Sequence, residues 1–122
     1  MLTMSEQNRL NRKRGEKMEI KIVNKFKKRS DVLNVVHSAG SFGTFDIVVH
    51  FINGITLYIT AKMNGYHTDK ERTKIKRFMA KLKRYSLDNV RIECYYYKSK
   101  RKMVRRIIKT ERDIDELKTT YR

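Results

Sequence analysis

Between His37 and Gly65 the chain reads HSAGSFGTFDIVVHFINGITLYITAKMNG, two β-rich runs joined by Asn53-Gly54. An Asn-Gly pair between such runs predicts a β-hairpin with a two-residue type I′ turn, because both central residues of that turn need positive φ. Residues 45–52 are therefore expected to pair with 55–62. Along the second run Ile55, Leu57 and Ile59 alternate with Thr56, Tyr58, Thr60 and Lys62, since successive side chains of a strand point to opposite faces. Thr60 and Lys62 thus share a face. The first run carries a single acid, Asp46, in an otherwise apolar sequence. A strand aspartate and a strand-end lysine are costly to take out of water unless they pair or hold a metal and its water, so chemistry is expected here.

With 122 residues the chain suffices for one domain and leaves no room for a second core. Thirty Lys and Arg against 13 Asp and Glu give a formal net charge of +17, spread along the chain rather than gathered in one tail. Such a chain attracts polyanions, and nucleic acid is the expected one for a protein with a folded core, with RNA, DNA and membrane phosphate all open on charge alone. The single cysteine, Cys94, excludes an intramolecular disulfide and a cysteine-cluster zinc site, which fits a reducing intracellular compartment. There is no apolar run of membrane-spanning length, no signal-peptide core and no lipidation motif, so no membrane association is expected.

Residues 1–13 are polar with scattered basic positions and read as a flexible basic N-terminal arm, followed by a single domain over 14–122. From Arg14 to Arg29, Met18, Ile22, Val23 and Phe26 recur at helical spacing. Glu19 precedes Ile22, Val23 and Phe26 by three, four and seven residues, which sets it on the core-facing stripe. Glu16 lies partly on the same side. Val32 to Val36 read as a strand, and Ser38 to Thr44 as a loop whose glycines and serines allow close backbone approach to a phosphate or a neighbouring strand. Thr68 or Asp69 caps a helix running to about Tyr85, with Ile75, Phe78, Met79 and Leu82 as its buried stripe. Val90 to Tyr97 and Met103 to Lys109 read as strands, and Thr110 with Asp113 as a capping box for a short terminal helix docked through Ile114 and Leu117. The order implies an α/β fold, a mixed five-stranded sheet flanked by helices. His37, His50 and His67 lack metal-pair spacing and read as ordinary residues. Tyr95-Tyr96-Tyr97 is read as core and dimer surface, against a base-stacking role in an RNA-binding protein.

Taken in order, four motifs over roughly Arg12 to Tyr97 resemble the archaeal Holliday junction resolvases, a branch of the PD-(D/E)XK nuclease superfamily. Arg14-Gly15 with Glu19 is similar to the family's basic-Gly-x-x-x-Glu opening, and Val36-His37-Ser38-Ala39-Gly40-Ser41 to its V-R-S-x-G-S loop. Phe45-Asp46-Ile47-Val48 is similar to its P-D-[LI]-[VI] strand, and Ile59-Thr60-Ala61-Lys62 stands where I-E-V-K would. The resemblance implies a restriction-endonuclease-like core and a homodimer that cuts four-way DNA junctions inside the cell, in a cytoplasmic setting that is archaeal or viral. It implies Glu19 and Asp46 as ligands of Mg2+ or Mn2+, Lys62 as the catalytic lysine, and Ser38 and Ser41 as phosphate contacts. Arg12, Lys13 and Arg14 would add contacts to the DNA backbone.

The chain departs from the family pattern where His37 replaces arginine, Phe45 replaces proline and Thr60 replaces the glutamate of E-x-K. Only the last bears on the chemistry, because a neutral hydroxyl is a poor magnesium ligand beside a carboxylate. Three readings of the catalytic position Thr60 stay open. Glu16 or Glu93 substitutes for the missing acid; the metal is held by two carboxylates, a carbonyl and waters; or the protein binds junctions without cutting them.

Overall fold

The computed structural model describes residues 2–38, 44–99 and 102–118. Helix α1 (Met4–Lys27) leads into strands β1 (Val32–His37), β2 (Ile47–Phe51) and β3 (Thr56–Ala61), then α2 (Asp69–Arg84), β4 (Val90–Ser99), β5 (Lys102–Ile108), the short α3 (Glu111–Asp115) and a 3-10 turn over Glu116–Lys118. The strands form one five-stranded sheet in the order β1-β2-β3-β4-β5, in which only the β3–β4 pair is parallel. The α/β architecture and mixed sheet expected from the sequence are therefore present. Among the described residues no helix is long and apolar enough to cross a membrane.

α1 begins at Met4 rather than Arg14, so residues 4–13 of the stretch expected as a flexible arm are helical. The cause is local. Glu6 N–H donates to Thr3 Oγ1 (3.1 Å) and Thr3 N–H to Glu6 Oε2 (3.2 Å), a capping box that satisfies two otherwise orphaned donors. Only Met18, Ile22, Val23 and Phe26 of α1 are buried, so residues 4–17 run roughly 20 Å beyond the helix's seat on the sheet.

The hairpin at Asn53-Gly54 forms, but not with the expected turn or register. His50 aligns with Thr56 and Phe51 N–H donates to Ile55 O, so the loop holds the three residues 52–54, one more than a type I′ turn allows. Gly54 alone takes positive φ (+90°), while Gly54 N–H donates to Phe51 O and Ile55 N–H to Asn53 Oδ1. The Asn53 side chain closes its own turn and removes the need for a second left-handed residue.

Alternation along the strands builds two cores. On one face α1 packs Met18, Ile22, Val23 and Phe26 against Ile47, Val49, Leu57, Ile59 and Tyr95. On the other, Ile75 and Met79 of α2 and Ile114 and Leu117 near the end of the described chain meet Ile92, Cys94 and Ile108. Of the two caps considered for α2, Thr68 is the one used, in a capping box with Glu71, and the box expected from Thr110 with Asp113 forms and starts α3. The tyrosine run goes into these cores: Tyr95 is 4% exposed, Tyr97 packs on the first core and Tyr96 on the second.

Candidate functional site

The end of the sheet where β1 stops and β2 begins gathers side chains from α1, β1 and α2 and from the residues that adjoin β2 and β3. Asp46 is fixed just ahead of β2: its N–H donates to Ile59 O (2.9 Å), its carbonyl accepts from Ser38 N–H (2.9 Å), and its Oδ2 accepts from Ala61 N–H (2.8 Å). The hairpin register thus decides where this carboxylate sits. Burial pushes the Asp46 pKa up, opposed by the Ala61 N–H and the Lys62 charge and supported by the charge of Glu71.

Glu19 reaches the same place from α1, as its position on the core-facing stripe predicts. Its side chain is 18% exposed, and Oε1 lies 3.3 Å from Nε2 of His37 at the end of β1. Burial raises its pKa first, the negative charge of Asp46 second, and His37 works against both. Two carboxylates from separate elements therefore feel one another in a partly dry site, where like charge is costly.

Lys62 follows β3, and its N–H donates to Tyr95 O (3.0 Å). Its ammonium forms an ion pair with Glu71, and its charge acts on Asp46. Glu71 is not among the residues that the motifs single out. It is the third residue of α2 and part of the cap: Thr68 N–H donates to its Oε1 (3.0 Å) while its other oxygen meets Lys62. Burial alone would raise its pKa, but the Lys62 and Thr68 contacts hold it below the ordinary glutamate value. The signal in the sequence is Thr68-x-x-Glu71, with Glu71 nine residues after Lys62, legible as a cap and silent about the lysine.

The remaining candidates divide. Thr60 is 2% exposed and its Oγ1 lies 2.9 Å from Nε2 of His67, itself 1% exposed. His67 Nδ1 lies 3.1 Å from Gly65 O, an acceptor, so Nδ1 carries the proton and Nε2 accepts from the threonine hydroxyl. Burial pushes the His67 pKa down, which keeps the ring neutral. Thr60 is thus engaged in a buried hydrogen bond rather than open to a ligand. Of the two acids considered as its substitute, Glu16 is exposed but acts on the charge of Glu19, whereas Glu93 is 7% exposed and engaged by Tyr95 and Arg105. Glu93 borders a separate cavity of about 250 Å3 with Phe26, Phe51 and Arg29.

Arg12, Lys13 and Arg14 are exposed on the projecting half of α1. Ser38 is exposed and spends its N–H on Asp46, while Ser41 lies outside the described residues. Among the described residues no three His, Cys, Asp or Glu side chains are grouped closely enough to hold a metal ion. The donors present are the two carboxylates Glu19 and Asp46. Hard cations such as Mg2+ are commonly bound by one or two carboxylates together with waters and phosphate oxygens, so this donor set fits such an ion. No family model matches the chain, and neither a curated protein nor a solved structure matches it.

Proposed function

We propose that the chain is a metal-dependent, structure-specific DNA endonuclease that resolves four-way junctions as a homodimer on a restriction-endonuclease-like core. The observation that carries this reading is the meeting of Glu19, Asp46 and Lys62, from one helix and two strand ends, in electrostatic contact at one end of the sheet. Glu19 and Asp46 would hold Mg2+ or Mn2+, which supplies charge neutralisation at a phosphate and a more acidic bound water. Asp46 is pre-positioned by Ala61 N–H, so its carboxylate needs no reordering on binding. Lys62 offers its ammonium to the developing negative charge on the phosphate. Glu71 orients that lysine through the ion pair. The basic first half of α1 supplies Arg12, Lys13 and Arg14 to the DNA backbone.

The test is cleavage of a four-way junction in Mg2+ and Mn2+ with the protein in excess. Asp46→Asn and Lys62→Ala should abolish cutting while junction binding stays within a few fold. Intact junctions with the unaltered chain under both metals would refute the nuclease reading. A second reading, a junction- or DNA-binding protein on the same fold that does not cut, is favoured by the burial of Thr60 against His67 and would then stand.

A further inference from the structure

Glu93 is a buried acid that the Glu19–Asp46 site does not use. Its side chain is 10% exposed, and its contacts are long for a charge out of water: the Tyr95 hydroxyl donates to Oε1 at 3.3 Å and Arg105 Nη1 to Oε2 at 3.5 Å. Burial pushes the Tyr95 pKa up to about 12, so that hydroxyl stays a donor. A carboxylate has room for about four hydrogen bonds, and burying one is costly until they are made. Glu93 lines the cavity of about 250 Å3 at the hairpin-loop end of the sheet, where Asn53 and Ile55 precede β3. Lys62 follows β3 at its other end, roughly 20 Å along the strand.

Asp31 grips Arg29 on the same wall with both oxygens (2.9 and 2.6 Å), and the guanidinium lies over the rings of Phe26 and Phe51, 5.6 and 5.3 Å from their centroids. It is thereby a fixed flat cation backed by aromatic rings and, with the side chain 46% exposed, open to a further planar group. Arg91 and Arg105 add two exposed cations. Arg91 spends Nη1 on the carbonyls of Asp88 and Val90 and is paired with no acid among the described residues. Three arginines against two acids leave the wall net positive.

We propose that this cavity binds one guanine base carrying a 5′-phosphate, its Watson–Crick edge on Glu93, its plane on the Arg29 guanidinium and its phosphate toward Arg91 and Arg105. The occupant must satisfy two demands. An ionised carboxylate only accepts, so the ligand donates to it, while the arginines call for negative charge. A simple anion is repelled by Glu93 and a cation by the arginines. A nucleotide meets both demands, and guanine alone among the bases sets two N–H donors, on N1 and N2, side by side to match two carboxylate oxygens. The volume falls below the roughly 300–1,000 Å3 of pockets for drug-sized ligands and suits one base rather than a pair. Such a guanine comes either from a free nucleotide or from an unpaired position in a strand. The inference uses no property of the Glu19–Asp46 site, so base binding and cleavage can fail separately.

The experiment is isothermal titration calorimetry of the full chain, freed of nucleic acid, with 5′-GMP and 5′-AMP and with thymidine pentanucleotides carrying guanine or adenine at the centre. GMP and AMP have the same charge, so attraction to a chain of +17 is common to both and the base alone separates them. GMP should bind about tenfold or more tightly than AMP; a preference for guanine confined to the pentanucleotides would identify the source as a strand. Glu93→Gln keeps the shape but exchanges an acceptor for a donor, and it should erase the preference. Arg91→Ala should weaken whichever guanine ligand binds by about fivefold or more. If circular dichroism shows Glu93→Gln unfolded, the exposed Arg91 decides. Absence of a guanine preference in both arms, or a folded variant of either kind that binds guanine as the unaltered chain does, would overturn the proposal.

Discussion

Asp46, just ahead of β2, and Thr60, on the neighbouring β3, have opposite thermodynamic characters. Burial and the nearby carboxylates raise the pKa of Asp46, so the folded state binds its proton more tightly than the unfolded chain. For an acid with a raised folded pKa the ionised form costs stability, and the cost disappears as pH falls through that pKa to below the unfolded value of about 3.9. Asp46→Asn should therefore raise the Tm at pH 7, and the difference from the unaltered chain should vanish toward pH 3 in a series of thermal melts. Mg2+ should stabilise the unaltered chain alone, by about 1.4 kcal/mol at ten times its dissociation constant, read as a higher Tm. Thr60 is the reverse case. Replacing it with Val strands His67 Nε2 and should cost about 1–3 kcal/mol in denaturant unfolding. Thr60→Glu, which the resemblance suggests as a repair, should destabilise by roughly 3–5 kcal/mol because it buries a charge against a neutral imidazole.

The helices are defined by their ends more than by their middles. Three of them start at Thr-x-x-acid boxes, at Thr3, Thr68 and Thr110. The box at Thr68 has a second consequence, because the same Glu71 that caps α2 holds Lys62 in the site. α2 ends with Ser86 at φ +53°, while Leu87 N–H donates to Leu82 O (2.8 Å) and Ser86 N–H to Lys83 O (3.2 Å), a left-handed cap in which glycine is preferred. Ser86→Gly should raise stability by about 0.5–1 kcal/mol, read as a higher midpoint in urea with an unchanged slope. In the projecting half of α1, a Cβ added at Gly15 meets no described atom within 4 Å. Gly15→Ala should thus stabilise that helix by about 1 kcal/mol.

At the scale of the whole molecule the charge is unevenly distributed. Basic residues crowd the projecting half of α1 and the outer side of α2, and none occupies the segment that forms the first three strands. Binding to DNA should weaken steeply with salt. Replacing Arg12, Lys13 and Arg14 together with Ala should lower the slope of log affinity against log salt by about 0.9 for each phosphate left without its cation, equally for four-way, bubble and linear duplex DNA. A change confined to junctions would instead place these residues in the recognition of shape.

The sequence by itself determined what depends on neighbours along the chain. Alternation placed Leu57 and Ile59 opposite Tyr58 and Thr60, helical spacing turned Glu19 toward the sheet, and the turn signal at Asn53-Gly54 brought Asp46 near Lys62. The box at Thr3 and Glu6 is equally local and is legible as Thr3-x-x-Glu6. Only the tertiary structure decided the rest: the three-residue loop that set the β2–β3 register, the occupation of Thr60 by His67, the diversion of Glu93 to Tyr95 and Arg105, and the arrival of Glu71 beside Lys62. The last three join residues whose mutual distance depends on how α2, β4 and β5 settle on the sheet, and periodicity within one element carries no information about which side chain of another will meet it.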